Sequence, residues 1–207
     1  MSQDLRDEVV SRPVSESRTV FEGMVWDVVQ ERVDLGAAGE VTRQFVRHPG
    51  AVAVVALDDE ERVCLIQQYR HPVRTLEWEV PAGLLDVEGE PPWVAAAREL
   101  HEEADLRAGR WDVLADYFSS PGGLDEALRV YLARDCAEVP EAQRHVRDGE
   151  EHGMPVRWVP LDEAESAVLT GRLHNPSAVV GVLAACAARR RGWNTLRPVD
   201  APWLRGR

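Results

Sequence analysis

Glu99, Glu102 and Glu103 stand at i, i+3 and i+4 in a stretch that reads as helix, so their carboxylates share one face within roughly a 100° arc. Like charges so placed repel by ~0.2–0.5 kcal/mol per pair on a plain helix. A divalent cation turns that repulsion into attraction, and Mg²⁺ takes oxygen ligands of this kind together with substrate phosphates. A solvated acidic face would carry the same residues without a metal, so the spacing alone leaves both readings open. Two neighbours add to the metal reading. Arg98 lies beside Glu102 on the helix and Glu90 reaches the same Arg from the preceding loop, an arrangement able to orient carboxylates. Pro81-Ala82-Gly83 precedes that loop, and a Gly there permits a turn that points a carbonyl at the metal.

The elements that must hold these residues follow from periodicity and punctuation. Pro92 to Ala104 reads as a helix whose Trp93, Ala97, Leu100 and Ala104 form an apolar stripe. Residues 1 to 18 are polar and read as a mobile start. Strand text runs from Val20 through Met24 to Leu35, turns at Gly36 and Gly39, and returns from Glu40 to His48. Ala51 to Leu57 and Arg62 to Tyr69 are apolar, β-rich runs joined by the hairpin loop Asp58-Asp59-Glu60-Glu61. Further strands are predicted at Leu76 to Val80, Trp111 to Tyr117, Leu128 to Ala133 and Val156 to Val159, and closing helices at Asp162 to Leu169 and Ser177 to Arg191. Without a regular βαβ alternation this mixture predicts α+β packing.

Composition narrows the chemistry. The 207 residues suit one domain plus an extra element, and 44% hydrophobic content argues against a disordered chain. A net charge of −12 disfavours nucleic acid and anionic membranes as partners, and Arg189 to Arg191 read as favourable charge at a helix C-terminus. No apolar run reaches the ~18 residues of a membrane span, and the acidic, polar start lacks the features of a secretory signal, which points to the cytoplasm. All 24 basic side chains are Arg, which excludes Schiff-base and P-loop lysine chemistry. Cys64, Cys136 and Cys186 show no metal-type spacing, and the first and last sit in apolar runs.

The stretch from Gly83 to Leu106 resembles the Nudix box: Gly83, Glu90, then Arg98-Glu99-Leu100-His101-Glu102-Glu103 and Leu106 fall in the family's order. It departs from the family pattern twice. Six residues rather than five separate Gly83 from Glu90, and Asp105 stands where the family has a helix-ending Gly. Asp tolerates the left-handed conformation better than most residues, so a strained but intact cap is expected. The resemblance implies an α/β/α sandwich around a mixed β-sheet. It also implies Mg²⁺, with Mn²⁺ as the alternative, held by Glu99, Glu103 and Glu102 with the Ala82 carbonyl. Arg98 and Glu90 would be a structural pair, Arg98 and Glu102 acting with the catalytic residues.

Outside the box, Gln67 to Pro72, Trp78 to Gly83 and Ser120-Pro121-Gly122 resemble the ADP-ribose pyrophosphatase branch, in its actinobacterial form. This implies hydrolysis of ADP-ribose to AMP and ribose 5-phosphate. The rivals are another nucleoside diphosphate derivative such as a nucleotide sugar, and a non-catalytic ADP-ribose sensor. Arg70 can fork onto diphosphate oxygens or pair with Glu77 or Glu79. Glu79 can accept from ribose hydroxyls or pair with Arg. The resemblance puts the catalytic base on the loop from Arg147 to Gly153, at Glu151 with Glu150 in reserve. Phe21, Trp26 and Arg47 are candidates for holding adenine, and Pro121 for the substrate site. The expected organisation is an N-terminal β extension over residues 1–45 that joins a homodimer, a Nudix domain over 46–193 and a C-terminal tail over 194–207.

Overall fold

The computed structural model describes residues 5–147 and 153–205. Among these the chain forms two units. One takes in the chain up to Pro49, Phe118–Ala127 and the chain from Pro202; the other comprises Gly50–Tyr117 and Leu128–Ala201, without residues 148–152.

The larger unit is built around β4 (Ala51–Ala56), a strand buried along its whole length. It pairs antiparallel with β7 (Ala82–Leu84) and parallel with β9 (Ala127–Glu138), and β8 (Leu106–Phe118) lies beside β9. A second sheet pairs β5 (Arg62–Arg70) with β6 (Thr75–Glu79) and β10 (Val156–Pro160), all antiparallel. Strand alternation sorts the core into two layers. Ala51, Ala53 and Val55 pack with Val182, Ala185 and Cys186 of α3 (Pro176–Arg190) and Ala164 of α2 (Leu161–Leu169). Val52, Val54 and Ala56 pack with Ala95, Ala96 and Leu100 of α1 (Pro92–Ala104). Helices on both faces of a mixed sheet are the expected α/β/α sandwich. The α3 backbone approaches β4 so closely that a Cβ on Gly181 would stand 2.7 Å from Val55 Cγ2.

The segment after α3 is docked along this unit. Arg197 bridges Val113 antiparallel and donates to Asp116 at 2.8 Å, while Arg129 donates to the Ala201 carbonyl at 2.7 Å.

The smaller unit is a three-stranded antiparallel meander of β1 (Val14–Phe21), β2 (Asp27–Asp34) and β3 (Glu40–Arg47). β3 runs two residues beyond the division expected at 45. The loop at 118–127 is stitched to its end: Val46 N–H donates to the Gly123 carbonyl, and Asp125 Oδ1 accepts from His48 N–H at 2.7 Å.

Three local readings are corrected. Val14–Phe21 is an edge strand where a mobile start reached residue 18; every residue is exposed, so no hydrophobic alternation marks it. The run from Val20 to Leu35 breaks between β1 and β2, where Asp27 Oδ1 accepts from Gly23 N–H at 3.3 Å. On α1 the buried face is Ala95, Ala96, Glu99, Leu100, Glu103 and Ala104, and Trp93 at the head of the predicted stripe is 40% exposed. No helix among the described residues is long and apolar enough to cross a membrane.

Candidate active site

The site candidates of the larger unit lie on α1, on β7 and at the ends of β5 and β6. α1 starts after Pro91 with Pro92 in its first turn, where a missing N–H costs nothing. It ends at Asp105, whose φ of 54° and ψ of 38° are left-handed and whose N–H donates to the His101 carbonyl. The cap expected of Asp105 therefore forms.

Arg98 is the hub of the carboxylates. Its Nε and Nη2 donate to the two Glu90 oxygens at 3.3 and 3.1 Å, and its Nη1 donates to Glu99 and, at 3.3 Å, to Glu102. The hydrogen bond to Glu90, with the charges of Glu99 and Glu90, raises the guanidinium pKa above its ordinary value. Glu99 and Glu103 are 9% and 5% exposed, unusual for carboxylates. Glu103 Oε2 accepts from the Ala82 N–H at 2.8 Å, so β7 and α1 are joined at the site itself. Gly83 makes room for this: a Cβ there would collide with Cδ and Oε1 of Glu99. The glycine is needed for close approach, a different reason from the turn inferred from sequence.

Among the described residues no three His, Cys, Asp or Glu side chains converge as a formed metal cage. Glu90, Glu99 and Glu102 are drawn onto Arg98 instead, and Ala82 meets Glu103 through its N–H. The donor chemistry nevertheless fits a hard divalent cation. All the carboxylates are oxygen donors, two are nearly buried, and the missing side chain of Gly83 leaves the room that the Glu99 carboxylate fills.

Arg70 and Glu79 take the paired alternative. Arg70 Nε and Nη2 donate to Glu79 Oε1 and Oε2 at 2.7 and 2.6 Å, and this fork raises the Arg70 pKa. Glu79 is 2% exposed and Arg70 41%, so the guanidinium sits at the surface over a buried carboxylate.

Arg147 carries no signal in the sequence beyond its place at the start of a loop. Its Nε caps the Glu102 carbonyl at 2.9 Å and its Nη2 pairs with Asp105, which ties the loop's first residue to the end of α1. The unusual Asp105 was the available signal, since an acid replacing a cap glycine invites a cation. Glu150 and Glu151 lie outside the described residues.

In the smaller unit Trp26 and Arg47 line one pocket of about 250 Å³, and Pro121 lines another of about 550 Å³ with Phe45 and Phe118. Phe21 is exposed at the end of β1 and belongs to neither.

The family model for the NUDIX domain matches residues 47–179, a span containing α1, Arg98 and all the carboxylates above. The chain belongs to the Nudix family. An ADP-ribose pyrophosphatase of Mycobacterium tuberculosis is 44% identical over 91% of this Nudix chain and 89% of its own length. One of Bacillus subtilis is 33% identical over 79% and 86%. The crystal structure of an ADP compounds hydrolase superposes with a TM-score of 0.71 at 21% identity, covering 91% of this chain and 99% of that one, which shows the shared fold.

Proposed function

We propose that this Nudix protein hydrolyses ADP-ribose to AMP and ribose 5-phosphate. The observation that carries this reading is the 44% identity to an ADP-ribose pyrophosphatase across 91% of the chain. The retained Arg98, Glu99, Glu102 and Glu103 favour hydrolysis over a sensor that binds without cutting.

In this reading Glu99, Glu102, Glu103 and the Ala82 carbonyl hold Mg²⁺, with Mn²⁺ as the alternative. When bound, the ion neutralises diphosphate charge and makes water more acidic. Release of Glu99 and Glu102 from Arg98 frees their oxygens for that task, and Arg98 keeps Glu90 as its partner. Arg70 uses Nη1, which the Glu79 fork does not engage, on a diphosphate oxygen. Glu151 takes the proton from the attacking water, with Glu150 as the reserve. Water adds to one phosphorus, the bridging P–O bond breaks, and its electrons leave on the departing phosphate. Phe21, Trp26 and Arg47 contact the adenosine part, and Pro121 belongs to the substrate site. A soluble nucleotide of this kind is met in the cytoplasm.

We further infer a homodimer joined through residues 20 to 50. Phe21, Met24, Val25 and Trp26 are all exposed, an apolar group of the sort that marks interaction surfaces. Light scattering at micromolar protein tests this; a fully active monomer refutes it.

Incubation with ADP-ribose and Mg²⁺, followed by chromatography, tests the reaction. AMP and ribose 5-phosphate are expected. Binding without AMP would assign a sensor, and a higher kcat/KM for a nucleotide sugar would assign the other substrate class.

A further inference from the structure

On the outer side of α1, away from the buried face that carries Glu99 and Glu103, a pocket of about 420 Å³ opens between the helix and the start of β8. Trp93 from the first turn of the helix and Trp111 from β8 both line it, together with the small side chains of Ala97 and Ala108. Trp111 is held in place: its Nε1 donates to the Ala108 carbonyl at 3.2 Å and its ring meets Tyr131 edge-on at 6.3 Å. Trp93, 40% exposed, spends apolar surface on solvent that the core would have taken. The remaining lining is Arg98, whose charge is met by Glu90, Glu99 and Glu102, His101, whose Nε2 lies 3.0 Å from the Gln143 carbonyl oxygen, and Arg107. No acidic residue lines it, in a chain whose net charge is −12. Arg107 is exposed and makes no ion pair among the described residues.

Aromatic walls take a flat π system, and unopposed guanidinium takes an anion. The volume is in the range of sites for one small ligand. We propose that this pocket binds a nucleoside monophosphate, its base against Trp93 and Trp111 and its phosphate on Arg107. The pocket shares Arg98 with the carboxylate hub. A phosphate on Arg107 adds negative charge on the pocket side of Arg98, so occupancy disturbs the charge balance of the hub without entering it.

The binding arm of the test uses the full-length protein stripped of metal with EDTA and titrated with AMP. The indole N–H signals of Trp93 and Trp111 are followed, assigned with Trp93→Phe and Trp111→Phe. Both signals shift along one saturable curve, and Arg107→Glu weakens the affinity about tenfold or more, as reversal of a phosphate-binding charge requires. Shifts confined to other tryptophans, or an affinity unchanged by Arg107→Glu, overturn the proposal. Should Trp111→Phe not fold, Trp93→Phe and Arg107→Glu at exposed positions decide it. The kinetic arm alone rests on the proposed hydrolysis. Added AMP lowers apparent kcat in the wild type and raises only apparent KM in Arg107→Glu; an unchanged kcat effect in that variant overturns the coupling. Failure to turn over ADP-ribose would count against the hydrolysis, and the indole shifts would still decide whether the pocket binds AMP.

Discussion

At the scale of single residues the site depends on close approach between neighbouring side chains and backbone. The position of Glu99 depends on the missing side chain of Gly83, because a methyl there would occupy the space of the carboxylate. Gly83→Ala should therefore displace Glu99 and lower kcat by about 10²–10³-fold, the loss of several kcal/mol expected when a metal ligand is misplaced. The fold should persist, since the displaced group is the far end of a side chain; turnover with a circular-dichroism melt checks both parts. The i, i+3, i+4 carboxylates and Arg98 were legible in the sequence because helical spacing fixes which side chains are neighbours. The Arg70–Glu79 fork was only half legible. Strand pairing brings Glu79 opposite Ile66, and the diagonal reach from Arg70 depends on a register that the sequence does not print.

At the scale of elements, α1 ends in a left-handed residue that is not glycine, which costs about 1 kcal/mol or more. Asp105 offsets this by pairing with Arg147, though its Oδ1 is buried without a hydrogen-bond partner among the described residues. Arg147→Met should destabilise the protein by ~1–3 kcal/mol, less than a fully buried pair because both side chains keep some solvent. Asp105→Gly removes the strain but strands Arg147, so the double variant should be more stable than the two single losses sum to, with coupling of about 1 kcal/mol. Urea unfolding of the four proteins measures it, and simple additivity would deny the pairing. The helix itself was legible end to end from Pro92 to Ala104. β1 was not, because an all-exposed edge strand held by backbone bonds to β2 leaves no apolar period to read. Trp93 misled for a related reason: helical spacing shows which residues share a face, but not which face another element covers.

At the scale of the whole molecule, burial pushes the Cys64 thiol up to about 12 and those of Cys136 and Cys186 to about 11, from an ordinary 9.0. Burial raises the Tyr131 hydroxyl as well. The unfolded chain releases the thiol protons above pH 9 while the folded chain keeps them, so this stability is whole below pH 9 and falls as pH rises toward 11 to 12. Thermal melts should decline from about pH 9 upward, and less steeply in Cys64→Ala; flat melting to about pH 10.5 in the wild type would contradict it. The α/β/α order was legible from the family resemblance, whereas the docking of Arg197 onto Val113 and Asp116 was not, since no periodicity announces a docked coil.

In the proposed function the carboxylates on α1 drive cleavage of ADP-ribose, and a Gln that keeps the shape and an accepting oxygen leaves the fold standing. The most direct test of this is the steady-state rate of AMP release from ADP-ribose at saturating Mg²⁺ for the wild type, Glu99→Gln and Glu103→Gln, each shown to be folded by its melt. AMP is expected from the wild type, with a fall of about 10²-fold or more in both variants. Near-normal release in both would contradict it.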